Sequence, residues 1–315
     1  MAALGANATT LKTFDTGGVL PKPMANKIIT QAYGDSIVGK LAGTIPMPIT
    51  GTSIAFATGT PVAGIVGEGE MKPVINQTVS TKSVKPIKAA ALMYWSKEAR
   101  QANPLAYLNL LESTAKDSIR RAIDMAVIHG KNALTNTTIS GVEYLAQAAN
   151  QVTLGTTAQK DGGLTGDILA GYELVVNKDG DVTAFAADPR LRVKLMRATK
   201  PDGTPVYTAG GRGGADLSDQ MGDLLGLPVT YSKAVGGKLG AVADSKIRLI
   251  GGEFTNNIQF GYVENITVRK TDTGVVQDGD TTVNLFQQNM EALIVEAQFG
   301  WIIKDVNDFV LYSEQ

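Results

Sequence analysis

From Leu41 to Gly67 the chain carries no Asp, Glu, Lys or Arg, yet it is studded with Thr, Ser, Gly and Pro. Such a stretch is too polar to cross a membrane and too uncharged for an ordinary solvated loop. Ser53–Val66 and Val74–Ser96, both rich in β-favouring residues, flank a glycine and charge cluster at Gly67–Pro73, GEGEMKP. The pattern predicts a long antiparallel ribbon. The ribbon can lie inside a larger sheet of its own domain or across a neighbouring subunit. Isolated two-stranded ribbons are marginal in water, and a strand edge without charge invites pairing. Both facts favour the neighbour.

Composition points the same way. Charged residues are 19% of the 315-residue chain, and 35 residues are Gly, against typical values of about 25% charged and about 7% Gly. Under-charged surface of this kind is commonly covered by a partner. The mass of 33.1 kDa allows a sizeable core in one or two domains, with a compact folded surface of about 12,500 Å². A net charge of -1 argues against gripping nucleic acid by electrostatics alone. The chain has no Cys and a single His, His129, which excludes disulfides, a thiol nucleophile and Cys- or His-pair metal sites. The N-terminus MAALGANATTLKTFDTGG lacks the basic and apolar regions of a signal peptide, and no clean apolar run is long enough to span a membrane.

Residues 1–22 are small and polar without period, and read as an extended arm. Pro23 and the apolar positions Met24, Ile28, Ile29, Ala32 and Ile37 fit a helix over Met24–Val38. Leu41–Ile49 reads as extended because Pro46 and Pro48 bar their predecessors from the α region. Asn103 and Pro104 are cap and first residue of the clearest helix, Pro104–His129, with apolar residues at steps of three and four from Leu105 to Ala126. Glu112–Lys116 and Asp117–Arg121 are i,i+4 pairs, and Gly130 ends it. Its length, roughly 39 Å at 1.5 Å per residue, suits an element that stiffens an extended molecule.

Beyond a loop-rich stretch, Asp167–Asn177 reads as helix and Val182–Ala187 as strand, and Asp188–Pro189 opens a helix running to Ala198. A Gly-rich loop at Tyr207–Gly214 precedes strands at Leu225–Tyr231 and Ile247–Ile250. This alternation predicts an α/β lobe. Ile266–Val310 is mostly strand, with a turn at Asp278–Asp280. The fold class is α+β.

No motif for chemistry survives inspection. Gly34–Leu41 is a near miss to a phosphate-binding loop, but Leu41 stands where a hydroxyl must hold Mg²⁺. Asn177–Asp181 resembles part of a Ca²⁺ loop, with Val175 and Ala186 where the terminal carboxylates belong. His129 closes the long helix, where an imidazolium complements the helix dipole. These readings predict no enzyme, no cofactor and no metal.

The order of elements resembles the major capsid protein family of tailed bacteriophages, whose fold is shared with encapsulins. Pro21–Val38 followed by Ile45–Pro48 (IPMP), Glu68-Gly69-Glu70, Met93–Pro104 (MYWSKEARQANP), Leu224–Ser232 (LLGLPVTYS), Gly251–Asn256 (GGEFTN) and Leu285–Tyr312 are similar to successive segments of that family. The resemblance implies an N-terminal arm and first helix at 1–48 and an extension loop at 49–92. It also implies a peripheral domain at 93–160 and 259–300 with a spine helix at 104–129, and an axial domain at 161–258 and 301–315. It implies hexamers and pentamers that close an icosahedral or prolate head around double-stranded DNA, located in the virion and assembled in the host cytoplasm without a membrane. The implied partners are other copies of the chain, a portal protein, a separate scaffolding protein, a decoration protein and loosely held DNA. Either a scaffold separate from this chain or none is expected, because Met1 stands only about twenty residues before the first helix. Gly210, Gly211, Arg212, Gly213 and Gly214 would lie toward the capsomer axis. Some members weld subunits by an isopeptide bond, and the positions corresponding to that set are Lys72, Asn289 and Glu296. The alternatives are an encapsulin-like compartment and a soluble enzyme with a carboxylate-based site.

Overall fold

The computed structural model describes residues 36–58, 62–75, 78–102, 107–199, 204 and 221–314. The arm, most of the helix expected over Met24–Val38, the Asn103–Pro104 start of the long helix and the Gly210–Gly214 loop lie outside the described residues. The first element is one helical turn, α1 (Ile37–Leu41), capped by Ser36, whose Oγ accepts from the Gly39 N–H. Helix therefore runs to Leu41, where extended chain was expected. After β1 (Gly43–Thr44), strands β2 (Thr52–Thr58) and β3 (Thr78–Val84) pair antiparallel, Thr52 opposite Val84 and Thr58 opposite Thr78. Strand β4 (Ile87–Ser96) passes through α2 (Lys97–Ala102) toward the long helix α3 (Tyr107–His129).

Helix α3 buries Ala115, Ile119, Ile123 and Ala126 along one stripe, the three-and-four spacing read from the sequence. Gly130 terminates it in a left-handed conformation, φ +62°, with its N–H on the Ala126 carbonyl. A Cβ there would stand 2.2 Å from the Tyr144 ring. Gly130→Ala therefore combines a left-handed penalty with an overpacked ring, and should cost roughly 2–4 kcal/mol; denaturant unfolding of the variant against the parent protein measures it.

The second half begins with β5 (Asn150–Thr153), α4 (Gly163–Val176), β6 (Ala184–Ala187) and α5 (Pro189–Arg197). Asp188 caps α5, its carboxylate accepting from the Arg190 N–H at 2.8 Å, with Pro189 in the first turn as anticipated. Strands β7 (Met221–Leu224), β8 (Leu227–Tyr231) and β9 (Ile247–Gly252) and the turn α6 (Phe254–Asn257) lead into the 14-residue β10 (Ile258–Thr271). A hairpin of β11 (Val275–Asp278) and β12 (Thr281–Asn284) turns at Gly279, and β13 (Met290–Ile303) and β14 (Phe309–Ser313) finish the chain.

Among the described residues, one sheet has the order β1-β10-β13-β4 and another the order β5-β14-β9-β6-β8-β7. The larger sheet is mixed, because β9 runs antiparallel to both its neighbours. Helices α4 and α5 cover one of its faces through Ile168, Val175, Leu191 and Leu195, against Phe185, Val229 and Tyr312. The opposite face, with Ala184, Ala186, Ile250 and Leu311, packs into the same cluster as Ile119 and Ile123 of α3 and Phe260 and Val295 of the smaller sheet. One continuous core thus joins the two sheets through α3, and the links β9-α6-β10 and β13-β14 are short.

The ribbon differs from its sequence reading in two ways. Val74–Ser96 is not one strand, because Lys85–Pro86 divides it between the ribbon (β3) and the body sheet (β4); proline has no N–H for a ladder. Strand β2 stops at Thr58 instead of reaching Val66, and residues 62–75 form no strand. The apolar residues there, Val62, Ile65, Met71 and Val74, are exposed.

Candidate assembly surface

The ribbon is aimed by its root. Ile45–Met47 lies across a pair of glycines, Gly261 and Gly300, which face each other between β10 and β13. A Cβ on Gly261 would stand 2.2 Å from the Ile45 carbonyl oxygen, and one on Gly300 3.0 Å from Met47 Cε. The Ile45 N–H donates to the Phe260 carbonyl at 2.9 Å. Met47, Val84 and Ile302 form a small buried cluster beneath the first ribbon residues. Lys82 Nζ donates to both carboxylate oxygens of Glu143, at 2.8 and 2.6 Å, and to the Ile303 carbonyl at 3.0 Å. Glycine inside a strand signals close approach of another backbone, so the seat had a sequence signal; its pairing, across 39 positions, did not.

The far end is a tight turn. The Gly67 N–H donates to Glu70 Oε2 at 2.9 Å, the Glu70 N–H returns to the Gly67 carbonyl, and Gly69 adopts φ +80°. Ile65, Glu68, Met71 and Lys72 around it are exposed, Ile65 completely.

Between α3 and β4 lies an open groove of about 500 Å³. Its floor includes Ala89, Ala91, Ile119, Ala122, Ala126 and Phe299, and Lys88, Arg121 and Lys131 supply its charge. None of its described lining residues is acidic.

One copy of the chain does not bring Lys72, Asn289 and Glu296 together. Asn289, at φ +54°, donates from Nδ2 to Glu98 Oε1 at 2.5 Å and accepts the Lys97 N–H on its carbonyl. Glu296 lies seven positions on, roughly 23 Å along β13. It pairs with Lys88 at 2.9 Å and Arg269 at 3.0 Å, and the Lys88 ammonium, outweighing burial, holds its carboxyl below the usual range.

The other singled-out residues are structural. His129 is buried, and its Nε2–H donates to the carbonyls of Ala234 and Val235 at 3.0 and 3.1 Å. Burial pushes its pKa down, so it is a neutral tether to that loop rather than the expected imidazolium. Asn177–Asp181 is a turn, with the Lys178 and Asp179 amides on the Val175 and Val176 carbonyls.

Sequence reasoning missed Asp124. This carboxylate, buried in α3, accepts from Ser36 Oγ at 2.6 Å and from the N–H groups of Ile37 and Val38 at 3.2 and 3.4 Å. It occupies the donors that a phosphate at Gly34–Leu41 would need. Burial, opposed by these hydrogen bonds, raises its pKa to about 6. Asp167 accepts from the Gly155 and Thr157 amides and from both Thr156 and Thr157 hydroxyls, and Asp188 caps α5 and pairs with Arg190. All three buried carboxylates hold backbone in place. Among the described residues no group of three or more His, Asp or Glu could hold a metal ion, and no helix is long and apolar enough to cross a membrane.

Comparison with known proteins gives consistent matches. A model described as the phage capsid family matches residues 16–313. The probable major capsid protein gp17 of Mycobacterium phage D29 is 26% identical over 295 residues, covering 93% of this chain and 89% of that protein. Its counterpart in Mycobacterium phage L5 is 26% identical over 305 residues, covering 93% and 88%. A solved structure from Gordonia phage Cozz superposes with a TM-score of 0.79 at 29% identity, covering 94% of this chain and 92% of that one.

Proposed function

The chain belongs to the phage capsid family, and from that premise we infer that it is the major capsid protein of a tailed bacteriophage, a subunit whose function is geometric. Copies assemble as hexamers and pentamers into a closed icosahedral or prolate shell that encloses double-stranded DNA, and the protein resides in the virion. The observation that carries the mechanism is the exposed ribbon: apolar Val62, Ile65, Met71 and Val74 are left in solvent by the chain's own fold, on a rigidly seated arm. Burial against a neighbour removes that surface from water and repeats around each ring. A portal protein, a scaffolding protein and a decoration protein complete the set of partners, and host cytoplasm is the place of assembly. The net charge of -1 suits loose, non-specific contact with a genome that must leave.

Electron microscopy of the concentrated protein, expressed alone and together with a scaffolding protein, tests this reading: closed shells or rings are expected in at least one of the two, and a persistent compact monomer in both would refute it. We read the subunit contacts as non-covalent. An isopeptide bond would need the Lys72 amine to attack the Asn289 side-chain amide with loss of ammonia, after a base had taken the amine's proton. Glu296, held between Lys88 and Arg269, is a poor base. Denaturing electrophoresis of assembled shells should give a single band near the 33.1 kDa chain mass; a ladder that survives boiling in denaturant would contradict it.

A further inference from the structure

We propose that Asp124 makes the turn Ser36–Leu41 a pH-dependent latch: while its carboxyl carries a proton the turn stays against α3, and loss of that proton to neutral solution favours its release. The proposal goes beyond the capsid reading and does not depend on it.

Helix α1 is five residues long, too short to hold itself in water, so it persists through what it touches. The first N–H groups of a helix have no partner within it. Here Gly39 donates to Ser36 Oγ at 3.2 Å, while Ile37 and Val38 donate across to Asp124 at 3.2 and 3.4 Å, joined by the Ser36 hydroxyl at 2.6 Å. One side chain of α3 thus closes the open end of the turn, and Ile37, Val38 and Leu41 bury themselves behind it. Every residue before Ser36 is joined covalently to the rest of the chain through this turn.

The surroundings of the carboxyl make the contact sensitive to protons. Asp124 is 2% exposed, and among the described residues no cation pairs with it; its partners are a neutral hydroxyl and two neutral amides. Arg120, one turn earlier on α3, pairs with Asp117 at 3.0 Å. Tyr262 on β10 feels both Arg120 and Asp124, and burial pushes its hydroxyl up, so it stays neutral below pH 8. Glu264, also on β10, is exposed, as is Lys40 at the far end of α1. Strand β8, packed against α1, adds Tyr231 beneath the Arg192 guanidinium, and β1 and α6 add no titratable side chain. Asp35 adjoins the turn in sequence. Burial therefore outweighs the three donors, and the carboxyl titrates near pH 6.

With the turn lifted, Asp124 meets water and ionises as an ordinary carboxyl, near 3.8. The closed form then holds a proton that the open form has lost, so opening becomes easier as pH rises from about 4 to about 6 and levels off above. With those two values the opening equilibrium grows roughly 25-fold between pH 4.5 and 7.5.

Hydrogen exchange of the full-length chain, kept below the concentration at which it assembles, tests the latch. Rates at pH 4.5 and 7.5 are corrected for the intrinsic pH dependence of exchange, and the Ile37 and Val38 amides are compared with Ile123–Val127 in α3. The turn should open at least tenfold more at pH 7.5 while α3 stays protected, and Asp124→Asn should show no such rise. Equal protection of the parent turn at both pH values, loss of protection in turn and α3 together, or an unchanged rise in Asp124→Asn would each overturn the proposal. Ser36→Ala supplies a second reading that needs no change at Asp124. It removes a donor that favours the ionised carboxyl, so the midpoint of the pH response should move up; an unmoved midpoint would count against the latch.

Discussion

A subunit in which Ala55–Thr81 is replaced by an Asn-Gly turn is expected to fold normally and to form no shells. Ile54 and Lys82 are direct cross-strand partners, so a two-residue turn can close the hairpin between them. The shortened hairpin keeps the whole root: the Met47, Val84 and Ile302 cluster, the Lys82–Glu143 pair and the glycine seat. The thermal midpoint should therefore move by only a few degrees, which corresponds to under about 1–2 kcal/mol for a chain of this length. Assembly loses far more. Burying Val62, Ile65, Met71 and Val74 at about 1.5–3 kcal/mol each would contribute roughly 6–12 kcal/mol per contact, before the costs of association are subtracted. Sedimentation and electron microscopy at the concentration where the parent assembles decide the matter. Shells of normal yield from the shortened protein would show that the ribbon is not the main intersubunit contact.

The second large effect concerns Asp124. Its carboxyl titrates near pH 6 in the folded protein, against 3.8 as the reference value. Between those values the native state holds a proton that the unfolded chain has released, so this group's contribution to stability falls as pH rises from about 4 to about 6. Above pH 6 the loss is complete, and the pKa difference corresponds to about 3 kcal/mol. Asp124→Asn removes the titration while keeping an acceptor for the Ile37 and Val38 amides and a donor for Ser36 Oγ. The variant should be more stable than the parent at pH 7.5, by up to about 3 kcal/mol, and the difference should shrink toward pH 4.5. Asp124→Ala instead leaves two buried N–H groups unpaired and should cost roughly 2–4 kcal/mol at either pH. Urea titrations of the three proteins at pH 4.5 and 7.5 check both statements. An Asn variant less stable than the parent at pH 7.5 would mean that the ionised carboxylate is favoured in this site.

What the sequence made legible was whatever repeats locally. The stripe through Ala115, Ile119 and Ile123 announces α3, and Asp188–Pro189 announces α5, because caps and helical spacing are encoded within a few residues. The ribbon was legible as an absence of charge from Leu41 to Gly67, but not its strand limits. Val62, Ile65 and Val74 have the composition of a strand, yet they are solvent-exposed and outside any strand; local composition cannot distinguish a residue that is apolar for a neighbouring strand from one that is apolar for another molecule. Asp124 was invisible for a different reason. An acid on an amphipathic helix reads as solvated surface unless its partners are known, and here they lie 86 to 88 positions away. His129 was misread likewise, since the Ala234 and Val235 carbonyls that hold it neutral are more than a hundred residues distant. The partners of Asn289 and Glu296 are equally non-local.

The single core that runs from one sheet through α3 to the other has a mechanical corollary. Packed interiors transmit strain instead of bending, so each subunit behaves as a stiff tile. A closed surface needs tiles to meet at different dihedral tilts around fivefold and sixfold vertices, and a rigid tile can supply only one. The compliance must then reside in the contacts between subunits, because the seat where Ile45–Met47 crosses Gly261 and Gly300 is itself closely packed. A larger residue at Gly261 or Gly300 would lever that seat apart and re-aim the ribbon, and with it the curvature that the contacts produce, as well as costing stability.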